Sequence, residues 1–136
     1  MALERLLIAN GGEIAIRIAR AAAELDTPTV AVFSEDDAAS LHVQAADSAR
    51  ALTGTGARAY LDIEQIVGLA KEAGCDAVHP GYGFLAENAA FARRCEQEGL
   101  KFVGPSVETL ALLGGKTRAR TLAEEHDVPV PAGSPA

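Results

Sequence analysis

Leu6-Leu7-Ile8-Ala9-Asn10-Gly11-Gly12-Glu13-Ile14-Ala15-Ile16-Arg17-Ile18 decides the fold of this chain. A short apolar run breaks at two glycines and gives way to a helical pattern: Ile14, Ile16, Ile18, Ala21, Ala22 and Leu25 fit one broad apolar face. Arg17, Arg20 and Glu24 fall on the wetter side. A second apolar run with β-branched content, Thr29-Val30-Ala31-Val32-Phe33, follows. Strand, helix and strand make a βαβ unit, and its right-handed crossover sets the two strands parallel.

The same alternation runs outward along the chain. Asp62 is the expected N-cap of a helix carrying Ile63, Ile66, Val67 and Ala70, stopped near Gly74. Asp76 to His79 reads as a buried strand, too short to be a helix before Pro80. Asn88 to Glu98 forms a helix ending at Gly99, with Glu87-Asn88 as its cap, and Lys101-Phe102-Val103 is a further strand. A helix bearing Val107, Leu110, Ala111 and Leu113 comes next. The stretch between is less regular, with a helical turn over Ser40 to Gln44, an edge strand over Ser48 to Leu52 and a surface loop over Thr53 to Gly56. Such alternation implies an α/β fold with a parallel sheet covered on both faces. Past Gly114-Gly115, a new helix is expected over Lys116 to Glu125, then a proline-restricted extended tail. The domain is therefore expected over residues 1–114, with residues 115–136 opening a second portion that the chain does not complete.

With 136 residues, 49% of them hydrophobic, and a net charge of -7, the chain has room for one folded acidic domain. No Lys/Arg stripe points to nucleic acid, and no apolar run reaches the ~20 residues that cross a bilayer. The N-terminus has no signal-peptide pattern, so the cytoplasm is the expected compartment. Cys75 and Cys95 lack Cys-x-x-Cys spacing and read as buried thiols. His42 and His126 stand apart from any ligand spacing, and no metal site is assigned.

Two glycine-bearing turns carry the candidate chemistry. Asn10-Gly11-Gly12-Glu13 places a helix N-terminus at the carboxyl edge of the sheet, where ligands collect. A tight turn with Glu13 suiting the helix dipole and pairing with Arg17 explains the same residues. The second turn is His79-Pro80-Gly81-Tyr82-Gly83-Phe84-Leu85-Ala86-Glu87-Asn88. His79 is expected to fix its loop by a hydrogen bond rather than to shuttle protons, whereas Tyr82 suits either substrate contact or packing as a lid. Neither turn completes a dinucleotide fingerprint: Gly12 lacks the Gly-x-x-Gly that must follow, and the strand ending at Val103-Gly104 carries no carboxylate. Lys116 follows two glycines and can reach a phosphate as a point charge, yet Ala111 occupies the position where a P-loop needs glycine.

Taken in order, Leu7 to Ile18, Ser40-Leu41-His42-Val43, His79 to Asn88, Phe102-Val103-Gly104-Pro105-Ser106 and Gly114-Gly115-Lys116 resemble the amino-terminal part of biotin carboxylases. The family includes the biotin-carboxylating portions of acetyl-CoA, propionyl-CoA and pyruvate carboxylases. The match runs from about residue 4 to residue 131, and its most specific part is His-Pro-Gly-Tyr-Gly-Phe-Leu.

The resemblance implies a Rossmann-like three-layer domain, the first domain of an ATP-grasp enzyme, with residues 115–136 beginning the ATP-grasp portion. The complete enzyme would use ATP, Mg2+ and bicarbonate to form carboxyphosphate and carboxylate biotin on a carrier domain. His79, Gly81, Tyr82 and Gly83 would line the biotin side, Lys116 would contact ATP phosphate, and Glu13 and Arg17 would lie near a dimer contact. The implied partners are the remaining carboxylase domains, the biotin carboxyl carrier domain and a carboxyltransferase, in a homodimer or larger complex. Two positions depart from the family pattern: Gly11 replaces an arginine, and Gly115 replaces an aspartate before Lys116. The chain alone is expected to be inactive and to hold no cofactor tightly. The other readings are a stand-alone nucleotide-binding module and a non-catalytic assembly domain.

Overall fold

Side chains in a strand alternate between faces, and the first strand shows what that alternation builds. The computed structural model describes residues 2–133. Its strands are β1 (Leu6–Ile8), β2 (Thr29–Phe33), β3 (Ser48–Ala51), β4 (Ala77–His79) and β5 (Lys101–Phe102). Its helices are α1 (Gly12–Glu24), α2 (Leu41–Ala45), α3 (Gly56–Ala59), α4 (Ile63–Glu72), α5 (Ala89–Gln97), α6 (Val107–Leu113) and α7 (Lys116–Glu125), with a 3-10 turn at Glu35–Asp37. All strands pair in parallel in the order β3-β2-β1-β4-β5.

Leu6 and Ile8 pack with Ala77 against Ala15, Ile18, Ala19 and Ala22 of α1. Leu7 and Val78 face the opposite way, into a larger core with Ile66, Val67 and Ala70 of α4 and Phe91 and Cys95 of α5. Helices on both faces give the three layers expected from the alternation. Phe91 is fully buried and meets Phe102 edge-to-face at 5.8 Å, tying α5 to β5.

Local signals placed several elements well. Asp62 accepts from the Gln65 amide at 3.0 Å, Asn88 from Phe91 at 3.0 Å and Ser106 from Thr109 at 3.2 Å, so α4, α5 and α6 each open on a side-chain cap. Asn88 provides the α5 cap by itself; Glu87 takes no part. The edge strand near Ser48 and the helical turn after Ser40 are both present.

Other expectations shift. The buried stripe of α1 runs through Ala15, Ile18, Ala19 and Ala22, whereas Ala21 is exposed and Leu25 is 77% exposed. Ala21 and Leu25 lie on the flank of the stripe that packs on Leu6, Ile8 and Ala77. Together with Leu3, Ile14 and Val103 they border a shallow apolar groove of about 320 Å³. Thr53 to Gly56 does not remain loop throughout, because Gly56 opens the one-turn helix α3. Carboxylates from the preceding turn hold it: Glu35 accepts from Gly54 at 3.0 Å and Asp36 from Gly56 at 2.9 Å. The final helix, α7, buries none of its residues.

Candidate functional site

The strand order makes β1 and β4 neighbours, yet the chain leaves them for opposite faces, toward α1 from one and α5 from the other. A crevice opens at such a switch point, outside the carboxyl ends of the strands. Here its walls are the two glycine turns, Asn10 to Glu13 and Pro80 to Asn88.

Asn10 joins them. It is 3% exposed, and its Nδ2 donates to the Pro80 carbonyl at 2.8 Å and to the Tyr82 carbonyl at 2.9 Å. Its Oδ1 accepts from the Gly11 amide at 2.9 Å. Two carbonyl partners fix which end of the amide is nitrogen. Gly81 lies against this side chain with φ +66, and a Cβ there would stand 2.7 Å from Asn10 Nδ2. Left-handed backbone and absent space both require glycine. Gly83 (φ 65) and Phe84 (φ 41) continue the left-handed path.

That path decides what each aromatic side chain does. Phe84 stacks on Tyr60 with centroids 5.2 Å apart, whereas Tyr82 is 61% exposed. The lid reading therefore belongs to Phe84, not to Tyr82. The Tyr82 hydroxyl donates to Glu13 Oε1, and that bond holds the phenol above its ordinary pKa. Glu13 does stand in the first turn of α1, where a carboxylate suits the helix dipole, but the expected pair with Arg17 does not form among the described residues; Glu13 accepts from Tyr82 instead. Arg17 is exposed on α1. His79 accepts from the Gly81 amide through Nδ1 at 3.0 Å, the loop-fixing bond expected of it, and burial pushes its pKa down. Lys116 is exposed at the first position of α7, and it makes no hydrogen bond or ion pair to the residues of the two turns.

Two residues with no foreseen role support the first turn from below. His42 is 2% exposed; its Nε2 meets the Val32 carbonyl at 3.1 Å, so Nε2 carries the proton and Nδ1 faces the Gly12 amide at 3.4 Å. Tyr60 donates to Asp37 Oδ2 at 2.6 Å, and burial together with that bond pushes its phenol up to about 12. At Gly11 a Cβ would stand 3.1 Å from Tyr60 Oη and 3.4 Å from His42 Cε1. Sequence spacing holds no signal for these contacts, since His42 and Tyr60 arrive from different elements. Among the described residues, no three of His, Cys, Asp and Glu converge where a metal ion would sit.

Fold and crevice together define a Rossmann-like α/β domain with two glycine-bearing turns meeting at its switch point. The family of the biotin carboxylase N-terminal domain matches residues 2–110, and the chain belongs to that family. It is 54% identical over 135 residues to pyruvate carboxylase of Staphylococcus aureus (strain Mu50 / ATCC 700699), a match covering 97% of this chain and 12% of that protein. Among solved structures, the biotin carboxylase domain of a single-chain bacterial carboxylase superposes with a TM-score of 0.89 at 57% identity, covering 93% of this chain and 30% of that one. The biotin carboxylase domain dimer of Hydrogenobacter thermophilus 2-oxoglutarate carboxylase, solved with MgADP, ADP and bicarbonate, matches with a TM-score of 0.89 at 43% identity over 98% of this chain and 30% of that one. The chain thus spans about an eighth to a third of the lengths of these relatives.

Proposed function

We propose that this domain forms the biotin side of an ATP-dependent biotin carboxylase, a ligase that carboxylates carrier-bound biotin with bicarbonate through carboxyphosphate. The observation that carries the reading is Tyr82: an exposed phenol between two left-handed glycines at the switch point, in a chain of this family. A flat, polar ring fits against such a phenol, with His79, Gly81 and Gly83 shaping the backbone around it. Lys116 would supply a point charge to ATP phosphate, which its exposed place at the start of α7 supports. Arg17 and Glu13, on the outer part of α1, would lie near a dimer contact. Residues 1–114 would be the Rossmann-like domain and residues 115–136 the start of the ATP-grasp portion.

The remaining carboxylase domains, a biotin carboxyl carrier domain and a carboxyltransferase complete the proposed partners, in the cytoplasm. Mg2+ would neutralise phosphate charge during transfer; the described residues of this chain provide no carboxylate cluster to hold it. Among the described residues no helix is long and apolar enough to cross a membrane.

A domain exchange tests the proposal. Grafted in place of the corresponding segment of the Staphylococcus aureus enzyme, this chain should preserve biotin- and bicarbonate-dependent ADP release. The 136-residue chain alone should show none, because phosphoryl transfer needs alignment and charge neutralisation together. A correctly folded but inactive chimera, or ADP release by the chain alone, would overturn it.

A further inference from the structure

The loop that bears Tyr82 has no strand or helix of its own to hold it from Pro80 to Glu87, and Asn10 supplies what secondary structure does not. We infer that Asn10 is a positioning residue, whose buried side-chain amide locks the Pro80–Tyr82 backbone onto the first turn and so sets where the Tyr82 phenol stands. The inference rests on the biotin-carboxylase reading for what Tyr82 touches, but not for how Tyr82 is held.

Three independent features carry it. Both Asn10 amide protons are used on loop carbonyls on either side of Gly81, so the amide brackets the residue that must turn. Gly81 fits only because it lacks a side chain where Asn10 Nδ2 lies. Glu13, three residues beyond Asn10 on the same turn, accepts the Tyr82 hydroxyl. The first turn therefore grips the loop twice, once by its backbone and once by its phenol. Asn10 itself is buried beneath the loop, so it acts on a ligand through Tyr82 rather than by contact.

Asp at this position keeps the size and the acceptor for the Gly11 amide, but replaces the two N–H donors of Nδ2 with one carboxylate oxygen facing the Pro80 and Tyr82 carbonyls. Asn10→Ala removes the grip without that repulsion. The chain holds two tyrosines, so tyrosine-labelled protein gives separate NMR signals for Tyr82 and for Tyr60 as an internal control. In the native chain the Tyr82 phenol titrates above its ordinary value because Glu13 holds it. In a folded Asn10→Ala or Asn10→Asp variant it should fall back toward about 10, while Tyr60 stays protonated over the same range. If Asn10→Ala does not fold, Asn10→Asp decides. An unmoved Tyr82 titration in a folded variant overturns the inference.

The chimera adds kinetics. Asn10→Asp should raise the KM for free biotin by about 10- to 100-fold, with the KM for ATP unchanged. In a Tyr82→Phe background it should add little, whereas a general structural role would cost as much in both backgrounds and overturn the inference. A moved Tyr82 titration with unchanged biotin kinetics sustains Asn10 as the clamp and overturns the biotin reading instead.

Discussion

His79 ends β4 and pins the next turn by accepting the Gly81 amide, a bond that needs its Nδ1 unprotonated. Burial pushes its pKa below 6.5, so the folded chain favours the neutral ring. As pH falls below about 6.5 the unfolded chain takes up a proton that the folded chain refuses. Stability held above that pH is then lost as pH drops through the folded value. The carboxylates with lowered pKa, such as Asp37 and Asp47, act only nearer the ordinary aspartate value of about 3.9 and below. The urea midpoint should therefore fall between about pH 7 and about pH 5.5, and His79→Gln should flatten that fall. The loop-fixing bond of His79 was legible in sequence because donor and acceptor lie two residues apart. Asn10 was not, since its partners lie 70 and 72 residues away and no local pattern announces them.

Elements follow the same division between near and far. The caps Asp62 and Asn88 act on amides three residues on, and the sequence declares them; Ser106 acts the same way on Thr109 without having been foreseen. Asn88→Ala should cost about 1 kcal/mol, read from denaturant unfolding with an unchanged slope, because one α5 donor loses its partner. Helix α3 escaped the sequence reading because its hold comes from Glu35 and Asp36, 19 and 20 residues back. The outer flank of α1 escaped it for another reason. Helical periodicity reports which side is apolar, but not how much of that side its neighbours cover, and Leu25 is left in solvent beside an apolar groove.

At the scale of the whole molecule, strand and helix alternation was enough to give a parallel three-layer sheet, because βαβ geometry allows few alternatives. The switch point then follows from strand order, which alternation alone does not specify. Cys75 and Cys95 report on the integrity of this whole. Both are free and buried, and burial pushes their thiols up to about 11 and about 12. At about pH 8 only roughly a thousandth or less of either is thiolate, and neither sulfur is open to attack. An aromatic disulfide reagent should label neither in the native chain and both after denaturant unfolding. Rapid labelling of native protein would show that the core opens far more readily than its packing implies.

The bond from Asn10 to Pro80 spans 70 residues, whereas β1, α1 and β2 are consecutive. Closing a long loop costs more chain entropy than closing a short one, so the first βαβ unit is expected to form ahead of the docking of β4. The crevice should then assemble late and contribute little to the folding transition state. Folding and unfolding rates measured across denaturant should show substitutions there hastening unfolding more than they slow folding. A ligand bridging the two turns would accordingly lengthen the lifetime of the native state, so that occupancy of the crevice doubles as a kinetic lock on the sheet.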